Sequence, residues 1–468
     1  MEEVKVEIIS KENIKPSSPT PSHLKTFKHS FLDQLVPFPH ATIILFYTSQ
    51  NPFEFSERLE LLKQSLSETL TQFYPFAGKI KDDLSIDCND EGANFVVVKV
   101  NCSISKFLKK PDLNSLNKFI PTTPNFEKTM TGAHVINIQV NIFDCGGIAI
   151  GFRISHRIAD GDSIDTFLKA WTERAGYNCN SELLTEPNFA TSSLFPTSTS
   201  HFRNLSRKTW GSIFRKEKWV TRRFLFKNSA IATLKAQIVA TSSSDPLKNP
   251  PNTPSRVQTV SALFWKYFMA ASKDQFGTQS PSILINTVNL RRRMPESLHP
   301  ENSIGNFLWL ATSEHTSEHE LNLNELVNKV KKSIEEVDKD FVARLQSEEE
   351  GSSIMENALR KISGETWSDN KGDKALEILA ISSWCNFGFY DADFGWGKPM
   401  WVSSIGIESI SVLTNMLILV DTKFKDGIEA WITLDEEKMK LLMSSTELLT
   451  YATLDPSPLT GSNSGFQA

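Results

Sequence analysis

The sequence contains no CxxC pair, no Lys or Arg block long enough to suggest a nucleic-acid surface, no short internal repeat and no apolar run approaching a membrane span, which needs roughly 18 residues. Each absence removes a class of function. The five cysteines (Cys88, Cys102, Cys145, Cys179, Cys385) are scattered and odd in number. In a chain of 468 residues they read as reduced thiols in a reducing compartment. The start, Met1-Glu2-Glu3-Val4-Lys5-Val6, lacks the apolar stretch of a secretory signal. A cytoplasmic monomer without membrane attachment is therefore expected, and the sequons at Asn101 and Asn204 read as chance matches. A net charge of −5 argues against a nucleic-acid surface. No GxSxG elbow presents a nucleophilic serine.

What is present is ordinary in bulk and specific in detail. Hydrophobic residues at 40% and charged residues at 22% fit a globular protein, and a length of 468 residues allows one very large core or two of ordinary size, the latter being expected. Phenylalanine is abundant at 31 residues, which serves core packing or a roomy apolar pocket. Leu59, Leu62, Leu66, Leu70 and Phe73 recur at helical spacing, and Tyr74-Pro75-Phe76-Ala77-Gly78 stops that helix. Alternation over Ile136–Ile142 and Ile148–Ile154, joined by Cys145-Gly146-Gly147, predicts a hairpin. Ile164, Phe167, Leu168 and Trp171 then mark an amphipathic helix that Asp160 or Asp162 is placed to cap.

Residues from about 178 to 214 are rich in Ser, Thr, Asn and Pro and read as a crossover. The reading is a mixed α/β chain with an N-terminal domain over 1–177, a linker over 178–215 and a C-terminal domain over 216–468. Within the last, Leu323 to Leu345 predicts one long amphipathic helix, and Ser347 to Lys374 an exposed excursion. Strands are expected near Ile283–Asn289, Leu417–Thr422 and Ile428–Thr433, a closing helix over Met439–Leu449, and a frayed tail from Pro456.

Ser155-His156-Arg157-Ile158-Ala159-Asp160-Gly161 lies where the hairpin ends and the helix begins. Imidazole suits removal of a hydroxyl proton because its pKa lies near operating pH, so His156 is the candidate general base. Asp160 is either its orienting partner or the partner of a basic residue that fixes the turn. A histidine that merely finds a local hydrogen bond is the competing reading, since HxxxD is short. Asp393-Phe394-Gly395-Trp396-Gly397-Lys398-Pro399 is far more specific, and Tyr74-Pro75-Phe76-Ala77-Gly78-Lys79, Val260-Ser261-Ala262-Leu263-Phe264-Trp265-Lys266, Asn289-Leu290-Arg291-Arg292-Arg293 and Ser303-Ile304-Gly305-Asn306-Phe307 accompany it.

Together with His156, these segments resemble the plant BAHD acyl-CoA-dependent acyltransferases over nearly the whole chain. Phe31-Leu32-Asp33-Gln34-Leu35 and Ile44-Leu45-Phe46-Tyr47 fit the same family. The resemblance implies two chloramphenicol-acetyltransferase-like α/β domains with a solvent channel between them, acyl-CoA as co-substrate, and direct transfer at His156. It also implies that Asp160 turns away from His156 and is structural, and that Asp393 is structural through a salt bridge with Arg291. Trp384 and Ser382 match positions near the developing oxyanion, with a packed core tryptophan as the plainer alternative for Trp384. Ser261, Lys266, Arg292, Arg293 and the backbone at Gly305-Asn306 are the candidates for holding CoA. Ile14-Lys15-Pro16 through Pro21, Ile86-Asp87-Cys88-Asn89-Asp90 and Ser383-Trp384-Cys385 look like the vinorine-synthase-like group, whose members acetylate hydroxyls on alkaloids, terpenoids or other bulky metabolites.

Rival readings are weaker. His315-Thr316-Ser317-Glu318-His319 matches the inverted zinc-protease pattern, but its surroundings are polar and no third ligand is evident, so no metal is expected. Asp393-Phe394-Gly395 lacks the companion loops of a kinase. A peptide-synthetase condensation domain shares the fold and an HHxxxDG motif, but here Ser155 stands where the first of its two histidines belongs. A catalytically silent CoA-binding relative, another acyl donor and an amine acceptor remain as alternatives.

Overall fold

The computed structural model describes residues 3–36, 40–48, 54–122, 130–176, 184–196, 201–215, 218–242, 253–277, 280–298, 301–316, 322–365, 376–403, 412–413 and 415–459. In chain order the first half supplies β1 (Val6–Ile14), β2 (His40–Tyr47), α1 (Phe55–Gln72), β3 (Ala93–Val100), β4 (Ile136–Phe143), β5 (Ile148–Ser155), α2 (Gly161–Ala175) and α3 (His201–Ile213). The second half supplies β6 (Trp219–Lys227), α4 (Arg256–Phe276), β7 (Ser282–Asn289), β8 (Leu308–His315), α5 (Leu323–Glu335), α6 (Lys339–Gln346), α7 (Glu348–Ser363), β9 (Glu377–Ser383), β10 (Trp401–Ser403), β11 (Met416–Asp421) and β12 (Gly427–Asp435).

Two mixed sheets organise the molecule. The first has six strands in the order β1-β3-β4-β5-β2-β10. The second has seven, running β8-β7-β9-β11-β12-β6 and closed by a two-residue strand at Thr453–Leu454. Alternation drives β4 and β5 into the expected hairpin, with Gly146 at φ 77° in its turn, a region costly for residues that carry a Cβ. Gly151 in β5 lets the sheet approach the Phe119 carbonyl, which a Cβ would meet at 2.1 Å. Helix α1 buries Leu62, Leu66 and Leu70, one face at helical period, against the first sheet's core.

The second half is not confined to the second sheet. β10 pairs antiparallel with β2, with Trp401 opposite Phe46. Phe394, Trp396 and Val402 belong to the apolar core of the first sheet.

Three expectations change. The long helix expected over Leu323 to Leu345 breaks between α5 and α6, because the Asp338 carboxylate accepts from Phe341 N at 2.8 Å and starts a new helix. The stretch expected to be an exposed excursion from Ser347 contains α7, which buries Met355, Leu359 and Ile362. Its first turn carries Glu348, Glu349 and Glu350, which suit a helix N-terminus, and Gly364 ends it at φ 81°. The expected closing helix is two short ones, Glu436–Ser444 and Thr446–Tyr451, because Ser445 caps the second. Cys179 and the His319 end of the zinc-like pattern lie outside the described residues, and no group of three metal-ligating side chains occurs among those described.

Candidate active site

β5 ends at Ser155, and a turn closed by Ile158 N on Ser155 O at 3.2 Å swings His156 out of the sheet before α2 begins. Asp160 caps α2, accepting from Ser163 N at 2.9 Å and Ser163 Oγ at 2.8 Å. Its carboxylate also receives Arg291 Nη1 at 2.7 Å, Arg291 Nη2 at 3.0 Å and Phe307 N at 3.0 Å. Burial alone would raise the Asp160 pKa, but the Arg291 charge and these donors hold it below the usual carboxylate value. Asp160 is thus a helix cap and ion-pair partner that bridges the two halves.

This pairing corrects one expectation. Arg291 does not meet Asp393; its guanidinium is used by Asp160 and by the carbonyls of Ser303 and Gly305. Asp393 Oδ1 instead accepts from Gly395 N at 2.9 Å and Gly397 N at 2.8 Å. It holds a turn in which both glycines have positive φ, 97° and 103°. That turn seats Phe394 edge-on against Trp171, with ring centroids 4.9 Å apart.

Asn306 meets the His156 ring at Nδ1. Its amide is fixed from both ends. Nδ2 donates to Asp33 Oδ1 at 2.7 Å and to His156 O at 2.8 Å, so Oδ1 is the atom left facing His156 Nδ1, at 3.1 Å. An amide oxygen only accepts, so Nδ1 carries the proton and the basic lone pair is on Nε2. Asp33 is itself held by Ser30 N at 2.6 Å and Ser30 Oγ at 2.7 Å, and its Oδ1 also receives Asn306 N at 2.9 Å. Burial pushes the His156 pKa below its ordinary value, against the raising effects of the Asp160 charge, its own carbonyl and Asn306. The neutral ring is therefore the resting form at neutral pH.

His156 lines a cavity of about 130 Å³ between the two halves. Ser382 and Trp384 line it too, and neither polar group has a hydrogen-bond partner among the described residues. Across the cavity, Asp162 accepts from Asn289 Nδ2, and burial together with the Asp160 charge pushes the Asp162 carboxyl up to about 6.

The expected CoA residues separate. Gly305 and Asn306 are at the base of His156, where Gly305 receives Ser163 Oγ and Arg291 at its carbonyl. Lys266 pairs with Glu447 at 3.3 Å, and Arg293 donates to the carbonyls of Val337 and Asn289. Ser261 is buried with an unpaired hydroxyl and is absent from the cavity wall. Arg292 alone of the set is exposed and without an ion pair among the described residues, and its charge is felt at Asp162. Asp33 and the Asp162–Asn289 pair are site residues that sequence reasoning missed. The one signal for Asp33 is a carboxylate set between Phe31, Leu32 and Leu35.

The Transferase family model matches residues 4–449. The chain belongs to the BAHD acyltransferases. This BAHD protein is 43% identical over 471 residues to an epi-neemfruitin B 7-O-acetyltransferase of Melia azedarach, covering 97% of this chain and 99% of the relative. It is likewise 43% identical over 474 residues to a limonoid 7-O-acetyltransferase of Citrus sinensis, with 97% and 99% covered. Among solved structures, the crystal structure of vinorine synthase matches with a TM-score of 0.75 at 30% identity, covering 96% of this chain and 98% of that one. The two sheet-rich halves are the chloramphenicol-acetyltransferase-like domains of this family. As a BAHD acyltransferase the protein takes acyl-CoA as co-substrate, with no permanently bound cofactor indicated. Among the described residues, no helix is long and apolar enough to cross a membrane.

Proposed function

We propose that this protein acetylates a hydroxyl group on a bulky terpenoid of the limonoid type, using acetyl-CoA and His156 as general base. The observation that carries the reading is the Asn306 contact, which commits Nδ1 to its proton and leaves Nε2 to accept one. The relatives at 43% identity are named for 7-O-acetylation of such compounds, which favours a terpenoid over an alkaloid acceptor.

The acceptor oxygen attacks the thioester carbonyl carbon while Nε2 takes the hydroxyl proton. Ser382 Oγ–H and the Trp384 indole N–H, from two residues that line the cavity, are the candidate donors to the resulting oxyanion. Collapse breaks the carbon–sulfur bond, and the leaving thiolate takes the proton back from His156. Asp160, Asp393 and Arg291 hold the site together without touching the reacting atoms. Arg292 is the candidate for a CoA phosphate, as the one exposed cation of the set without an ion pair among the described residues. Scattered cysteines favour a reducing, cytoplasmic setting, and a net charge of −5 speaks against a nucleic-acid partner.

The test is transfer of labelled acetyl from acetyl-CoA to a hydroxylated limonoid. His156→Ala is expected to lower kcat by about 10²–10⁴-fold with little change in KM. Full activity in that variant would remove the assigned base. CoA binding with no transfer to any alcohol or amine would mark a silent relative, and a trapped acyl-enzyme would replace direct transfer.

A further inference from the structure

The cavity wall supplied by the second sheet changes character along its strands. Ile285, Ala380 and Met416 are aligned across β7, β9 and β11, and all three line the cavity. Asn289, four residues further along β7 and roughly 13 Å away, lines it together with Asp162 and Ser383. One end is therefore an apolar row with no ionisable side chain, and the other carries amide, hydroxyl and carboxyl groups with Arg292 beyond. A pantetheine arm bears amides and leads to phosphates, so its chemistry matches the second end. A fused carbocycle matches the first.

Trp210, from α3 in the crossover, is 2% exposed, lines the cavity and belongs to the same apolar cluster as Ile285 and Ala380, with Met416 packed against it. Its indole N–H donates to Leu35 O at 3.1 Å, and Ser206 Oγ donates to the same carbonyl at 3.1 Å. Arg203 adds two bonds to that segment, N to Gln34 Oε1 at 2.8 Å and Nη1 to Val36 O at 2.8 Å. The indole is thus an immobile stop, pinned to the loop whose Asp33 anchors Asn306.

We infer that Trp210 is a specificity-determining residue, the end wall that sets how long a neutral ring system the acceptor subsite admits against the Ile285–Ala380–Met416 row. This rests on the acetyl-transfer reading for which end the acceptor takes. Shortening the wall admits longer ring systems; bulk added at Met416, on the half-buried part of the row, excludes them.

The experiment compares the wild-type protein with Trp210→Ala, Trp210→Phe and Met416→Trp on cyclohexanol, 2-decalol and a tetracyclic sterol alcohol. Trp210→Ala is expected to shift the kcat/KM ratio of tetracyclic to monocyclic alcohol upward by about tenfold or more, with the acetyl-CoA KM within about twofold. Met416→Trp is expected to shift the ratio the other way, and it keeps the proposal falsifiable if Trp210→Ala fails to fold. Trp210→Phe keeps most of the wall but loses the indole N–H bond to Leu35, and is expected to shift the ratio less than Trp210→Ala. Unchanged ratios in Trp210→Ala and Met416→Trp, or an acetyl-CoA KM that rises in step with the acceptor KM, would overturn it. Calorimetric binding of the same alcohols without acetyl-CoA reads the subsite apart from the chemistry. If the wild-type protein acetylates none of them, the reaction falls, while the subsite stands or falls on those affinities.

Discussion

At the residue scale, the tautomer of His156 is set by what lies behind the ring. Asn306 can present its oxygen to Nδ1 because its nitrogen is claimed by Asp33 and by the His156 carbonyl. Removing that oxygen takes away the acceptor that commits Nδ1 to its proton. Asn306→Ala is expected to lower kcat by about tenfold or more while leaving the acetyl-CoA KM unchanged, measured by steady-state kinetics. The pH profile of kcat/KM carries a second signature. Since burial lowers the His156 pKa, the neutral base persists as pH falls below 6.5, the ordinary value. Activity should be lost only at more acid pH. An acid limb centred above that value would contradict the burial argument.

At the element scale, the glycine-rich turn after Asp393 is a local cap whose product is a packing contact. One carboxylate oxygen satisfies two backbone N–H groups, and the turn presses Phe394 onto Trp171. An amide oxygen accepts the same two bonds. Asp393→Asn is therefore expected to stay near wild type in stability and activity, whereas Asp393→Ala should cost about 1–2 kcal/mol in urea unfolding. Equal damage from both would point to a need for the charge itself. Helical and strand periods made α1, the β4–β5 hairpin and α2 legible, because side-chain direction repeats every 3.6 or 2 residues whatever surrounds the chain. α7 was not legible. Its apolar residues follow three glutamates, a glycine and two serines, and only packing against α3 shows which face is inside.

At the scale of the whole molecule, the two halves are joined by exchange of chain as much as by surface. β10 completes the first sheet, and Trp401 stacks between Phe46 at 5.2 Å and Trp431 at 5.6 Å. Arg223 lies over both tryptophans and pairs with Glu429 at 2.6 Å, nearly out of reach of water. Trp401→Ala should cost about 3–5 kcal/mol and, by loosening this junction, turn a single urea transition into two. One unshifted transition would show that the sheets are coupled elsewhere.

By itself the sequence determined the family, the position of His156 and the main strands and helices near it. Those follow from short-range chemistry, namely residue order, turn formers and apolar period. Only the tertiary structure decided who pairs with whom. Arg291 had two aspartates to choose from, and it meets Asp160, 131 positions away, while Asp393 binds its own turn. Asn306 and Asp33, 273 positions apart, meet behind His156. A buried charge or amide is bonded to whatever packing brings within about 3 Å, and no local pattern in the chain records that distance.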